Sequence, residues 1–79
     1  MNTEHLVSMA NQIGSFFESY VDQVEASSEI AGHIQKNWAP RMRSQLLEHI
    51  DNSEGDGLKE VVLSSIKMHR NKLEPRDDL

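Results

Sequence analysis

Apolar residues recur along this chain in steps of three and four, and no run alternates long enough to make a strand. The first stripe is Leu6, Met9, Ala10, Ile13, Phe16, Phe17 and Tyr20. Such spacing gives a helix one apolar face. Asn2 or Thr3 is a suitable N-cap, so the pattern predicts a helix from there to about Tyr20. A polar stretch over residues 22–28 follows, in which Ser27 or Ser28 can cap a second helix with the face Ile30, Ala31, Ile34 and Trp38. Pro40 ends that helix, because the residue before a proline avoids the helical region. It also opens a third, because the first helical position has no intrahelical use for an N–H. The third helix carries Met42, Leu46, Leu47 and Ile50 and runs to about Ile50, so the two helices meet at a tight corner with Trp38 at the bend. "DNSEGDG", residues 51–57, reads as a loop. A last helix from near Leu58 to Pro75 puts Leu58, Val61, Val62, Ile66, His69 and Leu73 on one side. The expectation is all-α: a small bundle of three to four short helices. It forms a single domain over residues 1–73, and residues 74–79 are a flexible, disordered tail.

Composition narrows this picture. A chain of 79 residues buries only about 60% of the surface its unfolded form exposes, so its core is small. There is no cysteine, which excludes a disulfide framework, a thiolate zinc site and a cluster ligand set. No stretch approaches the ~20 apolar residues of a membrane span, and Glu4 stands where a signal peptide would place a cation. These features point to a soluble cytoplasmic chain. The net charge is -5, and its distribution is uneven. Residues 1–32 hold five acids and no Lys or Arg; eight bases and eight acids follow from Lys36 onward. An acidic chain of this kind is a poor match for sequence-independent binding to phosphate backbones.

Catalytic and metal chemistry find no motif. The histidines, His5, His33, His49 and His69, never pair at i+3 or i+4. The "DNSEGDGLKEVV" stretch places Asp51, Ser53 and Gly55 where a calcium loop has ligands. It then has Asp56 where that loop needs Gly and Val62 where it needs Glu. No glycine-rich phosphate loop is present. The expected catalytic, cofactor-binding and metal residues are therefore none.

What remains are residues suited to a partner. Gly14 costs its helix about 1 kcal/mol relative to Ala, which favours a close approach of another helix; Gly32 raises the same question. Trp38, the single Trp, fits either a core or an interface anchor. Phe16 and Phe17 are adjacent, and adjacent residues on a helix point about 100° apart, so one can be buried while the other is exposed or bound. Arg41 and Arg43 stand at a helix start, where the dipole disfavours cations. Neither has an acid at i±3 or i±4. The missing carboxylates belong either to this chain's own acidic first segment, through Glu18 or Asp22, or to a partner that a guanidinium fork can grip.

Three stretches carry a family resemblance: "HLVSMANQIGSFFES" (residues 5–19), "IAGHIQKNWAPRMRSQLLEHI" (residues 30–50) and "GDGLKEVVLSSI" (residues 55–66). They resemble the delta subunit of NAD-dependent, molybdenum- or tungsten-containing formate dehydrogenases. The Trp-x-Pro-Arg-Met-Arg signature, residues 38–43, is the most specific part, and "MANQIG", residues 9–14, the second. One departure is the lack of a Pro near Lys59 or Glu60 to open the final helix.

The resemblance implies a small accessory subunit with no active site and no cofactor of its own. Its partner would be the catalytic (alpha) subunit of a cytoplasmic formate dehydrogenase. That subunit carries the bis-molybdopterin guanine dinucleotide cofactor and iron–sulfur clusters, and a diaphorase part carries flavin and reduces NAD. The implied role is assembly, maturation or stability of the complex. The expected partner-binding residues are Trp38, Arg41, Met42, Arg43, Gly14 and Phe17, with no nucleic acid and no membrane as partner. The alternative is a small helix-turn-helix DNA-binding protein that presents Arg41, Arg43 and Gln45 to a major groove. A homodimer of the isolated chain is a third reading, since a short chain often completes its core by self-association.

Overall fold

A computed structural model describes residues 2–20 and 22–75. Among them there are five helices and no strand, in the order α1 (Thr3–Phe17), α2 (Gln23–Asn37), α3 (Pro40–Ser53), α4 (Glu60–Met68) and α5 (Arg70–Leu73). The fold is all-α, with four longer helices and one short turn of helix. The tail expected at the C-terminus lies, from residue 76 onward, outside the described residues.

The start of α1 follows the sequence expectation. Asn2 is extended, and its side-chain oxygen accepts the Glu4 and His5 N–H groups at 2.6 and 3.4 Å. The helix ends three residues before Tyr20, at Phe17, with the Glu18 N–H closing on the Gly14 carbonyl.

The second helix starts earlier than expected. Asp22, not Ser27 or Ser28, is the N-cap, its Oδ1 accepting from Val24 and Glu25 at 2.9 and 3.2 Å. Asp caps as well as Ser does, and its charge suits the positive end of the helix. Ser27 is consequently buried within α2, beside Ala26, Ile30, Ala31 and Ile34. This mostly small face allows the most extensive helix contact of the bundle, α2 against α4.

The corner between α2 and α3 forms as the proline requires. Trp38 and Ala39 are both extended, and Pro40 occupies the first turn of α3. Helix α3 continues through part of the stretch expected to be loop, to Ser53, and stops where Glu54 adopts the left-handed conformation at φ 55°. Gly55 and Gly57 continue the turn at φ 69° and 89°.

The last helix is two pieces. His69, at φ -117° and ψ 32°, breaks it between α4 and α5. The break turns Leu73 fully into the core and lets Arg70 reach Asp51 on α3 with a bidentate bridge of 2.8 and 2.7 Å. Tertiary anchoring here overrides a pattern that, read locally, is continuous.

The core comprises Leu6, Ala10, Ile30, Ile34, Trp38, Leu46, Leu47, Ile50, Val62, Ile66 and Leu73. Gly14 is buried on α1 directly beneath α4. A Cβ there would overlap Val62 Cγ2 and lie 3.4 Å from Val61 Cγ1. The close approach expected at Gly14 is therefore made by this chain's own fourth helix. At Gly32 an added Cβ would meet nothing within 4 Å, so no element approaches it.

Asn11, on α1 between the buried Ala10 and Gly14, fixes the start of α4. Its amide donates to the Gly57 carbonyl at 2.9 Å and its Oδ1 accepts the Lys59 N–H at 2.8 Å. Lys59 is the N-cap of α4 and its own side chain makes no capping bond. A side chain from α1 thus fixes the residue at which, by resemblance, a proline would stand nearby.

Candidate functional site

The α1 stripe is wider than one neighbour can cover. Leu6, Ala10 and Gly14 go inward, whereas Met9 and Ile13 are half-buried and Phe16 is 71% exposed. Across from them, the α2–α3 corner supplies Trp38 and Met42. Between these elements lies an open apolar trough of about 540 Å³. Its floor and walls are Met9, Ile13, Phe16 and Phe17 from α1 with Trp38 and Met42 from the corner; Gln12, His33 and Asn37 supply the polar edge.

An aromatic cluster stiffens one wall. Phe17 makes edge-to-face contacts with Phe16 at 4.9 Å and with Tyr20 at 5.4 Å, and its ring lies 6.4 Å from that of His33. Such pairs add about 0.5–1.5 kcal/mol beyond area burial. They hold Phe16 in place although it is mostly in solvent. Two methionines in the trough add unbranched, adaptable surface. The Trp38 indole is only 6% exposed, so it forms the floor of the trough and part of the core at once.

The two arginines part company. Arg43 is half-buried and points to the end of α5, where its Nη1 donates to the Lys72 and Leu73 carbonyls, both at 3.5 Å. Cations suit helix C-termini because unpaired carbonyls collect there. Arg43 Nε is buried and has no hydrogen-bond partner. Arg41 is exposed and makes no ion pair among the described residues.

Neither intrachain carboxylate considered for these arginines is free for them. Glu18 bridges Lys59 at 3.3 Å, and Asp22 caps α2. Gln45 is tied inward as well, its Nε2 donating to Thr3 Oγ1 at 3.1 Å. A helix-turn-helix reading needs Arg41, Arg43 and Gln45 presented together. Here only Arg41 projects from the start of α3 without an inward tie.

Of the expected partner residues, Trp38, Met42 and Phe17 line the trough, and Arg41 adjoins it in sequence through Met42. Gly14 and Arg43 lie elsewhere: Gly14 under α4, and Arg43 beside a second cavity of about 550 Å³ with Gln35, Pro40, Asn71, Lys72 and Glu74. The inventory from sequence omits Met9, Ile13 and Phe16. The adjacent Phe16 and Phe17, on a stripe too broad for a single contact, are the signal that could have found them.

The described residues contain no group of three or more His, Cys, Asp or Glu placed to hold a metal ion. No helix among them is long and apolar enough to cross a membrane. Among the described residues, the one clear electrostatic perturbation is structural. The Arg70 hydrogen bonds hold the Asp51 carboxyl below the usual aspartate range against an opposing effect of desolvation, and Arg70 is raised in turn by Asp51 and Glu74.

No curated protein and no solved structure matches the chain. A family model does, that of the "NADH-dependant formate dehydrogenase delta subunit FdsD", over residues 5–66. The match spans most of α1, the α2–α3 corner, the Asn11 clamp and most of α4. The chain carrying this trough and its clamped helices belongs to the FdsD family of formate dehydrogenase delta subunits.

Proposed function

We propose that this chain is a non-catalytic accessory subunit that docks on the catalytic subunit of a cytoplasmic NAD-dependent formate dehydrogenase. Its role is to support assembly, maturation or stability of that complex. The observation that carries the reading is the open apolar trough along α1 and the α2–α3 corner, with Phe16 standing 71% exposed at its edge. A small chain has little apolar surface to spare, and contiguous exposed apolar surface marks an interaction site. Family membership supplies a multisubunit enzyme as the setting.

The polar groups support the same reading by their occupations. Asn2 and Asp22 cap helices, Asn11 clamps α4, and Asp51 with Arg70 ties α5 to α3. These side chains are engaged in holding a shape.

Co-expression of the enzyme with and without this chain tests the proposal, with subunit composition and molybdenum-cofactor content measured on the purified complex. Loss of catalytic subunit, cofactor or complex integrity without the chain is the expected result. An enzyme of unchanged composition and cofactor content, from which this chain is absent in either case, would refute it.

A further inference from the structure

Resting on that docking reading, we infer that the trough receives an acidic amphipathic segment of the larger subunit. Its apolar side chains would fill the space between Ile13, Phe16 and Met42, and a carboxylate about one helical turn away would pair with Arg41.

The floor of the trough sets the first requirement. Met9, Ile13, Phe17, Trp38 and Met42 offer almost no hydrogen-bonding capacity, so a polar insert would lose its water without compensation. About 540 Å³ open along one side suits a run of side chains on one face of a segment, the helix-in-groove manner of recognition. The thioethers of Met9 and Met42 adapt to the shape of what enters.

Charge sets the second requirement. None of the nine residues lining the trough is acidic. Flanking its lining in sequence are the cations Lys36, before Asn37, and Arg41, before Met42; the one flanking acid, Glu18 after Phe17, is bridged to Lys59. Both of these cations are exposed, and neither makes an ion pair among the described residues. A chain of net charge -5 thus leaves Lys36 and Arg41, each one residue from the trough lining in sequence, without an ion-pair partner among the described residues, while Glu18 and Asp22 are engaged elsewhere. A segment with a carboxylate beside its apolar face complements both features. A second copy of this chain does not, because a two-fold contact through this face would bring two sets of the same cations together.

The test places a photocrosslinker in the trough of the whole complex. The chain carrying Phe16→benzoylphenylalanine is co-expressed with an affinity-tagged catalytic subunit, irradiated, and the crosslinked peptide is sequenced. The expected peptide comes from the larger subunit and holds an apolar residue at the crosslink with Asp or Glu within four positions. A peptide without such an acid, or one from a second copy of this chain, overturns the inference.

Arg41→Glu provides the second arm. Because Arg41 is exposed and untied, the variant keeps its fold, which circular dichroism verifies. Retention on the tagged subunit should fall roughly tenfold at low salt, and raising salt should narrow the gap to wild type. Equal retention of Arg41→Glu, Phe16→Ser and wild type sinks the trough while leaving docking intact. A wild-type chain that never travels with the catalytic subunit sinks the docking reading itself, and this inference with it.

Discussion

Gly14 on α1 and Val62 on α4 are in such close contact that a Cβ on the glycine would overlap Val62 Cγ2. This contact sets two opposing effects against each other. Alanine would raise helix propensity by about 1 kcal/mol, but the overlap with a fully buried valine would force α4 to shift, at about 1–3 kcal/mol. Gly14→Ala is therefore expected to be net destabilising, lowering the urea midpoint. Gly32→Ala is the control. Its added methyl meets nothing within 4 Å, so the propensity gain of up to about 1 kcal/mol should appear as a raised midpoint. Equal responses at the two positions would contradict the packing described.

Asn11 holds the entry to α4 through two hydrogen bonds, to Gly57 and Lys59. Asn11→Ala should cost about 1–3 kcal/mol, since it removes both partners and leaves a part-buried N–H without one. Asn11→Asp keeps the acceptor for Lys59 but turns an acceptor toward the Gly57 carbonyl, so it should rescue only part of the loss. Amide exchange at Lys59 and at the first residues of α4 should speed up in both variants more than exchange in α2. Thermal melts and site-resolved exchange check this pair.

The arginines separate stability from binding. Arg43 is half-buried with its Nε out of contact with solvent, and its Nη1 bonds are long, so packing outweighs charge there. Arg43→Ala should cost about 1–2 kcal/mol through lost contact with the stem. Arg43→Met, which retains the stem and removes the unpartnered Nε, should stay within about 0.5 kcal/mol of wild type. Arg41→Ala should leave stability within about 0.5 kcal/mol and weaken complex formation. Denaturation of the isolated variants, beside their retention on the tagged catalytic subunit, checks both halves.

Asp51 gives the fold an acid-sensitive tie. Hydrogen bonds from Arg70 hold its carboxyl below the ordinary value, which is about 4 in an unfolded chain. The folded state therefore binds this proton less readily than the unfolded state. The contribution is fully present above the unfolded value and disappears as pH falls through the folded one. The stability gap between wild type and Asp51→Asn should be flat above about pH 5 and close progressively below about pH 4. Both side chains remain in contact with solvent, at 38% and 52% exposure, so high salt should shrink the gap at neutral pH. Midpoints measured across that pH range, at low and high salt, decide it.

How legible the fold was varied with how local its causes were. The helices α1 and α3 and the corner between α2 and α3 follow from groups that act within a few residues of themselves. Asn2 satisfies the first N–H groups of α1, and Pro40 forces Ala39 to be extended and starts α3. The start of α2 is not legible locally, because Asp22, Ser27 and Ser28 are all good caps. The choice between them depends on which register buries Ala26 and Ser27 against the rest of the bundle. The break at His69 left no local mark. It arises because Leu73 and Arg70 gain a core site and a partner on α3.

By itself, the sequence determined an all-α chain, the stripe on α1, the proline corner, and the presence of two arginines without acidic neighbours. Helical period, cap chemistry and the fixed φ of proline are properties of short segments, so they are readable without coordinates. Only the tertiary structure decided that Phe16 is the exposed ring and Phe17 the supporting one. It also decided that Gly14 serves α4, that Asn11 clamps Lys59, 48 residues away at the entry to α4, and that Arg43 turns inward while Arg41 stays out. Each of those outcomes depends on what a distant segment brings to the same place, and burial and pairing are set there, by contact across the bundle.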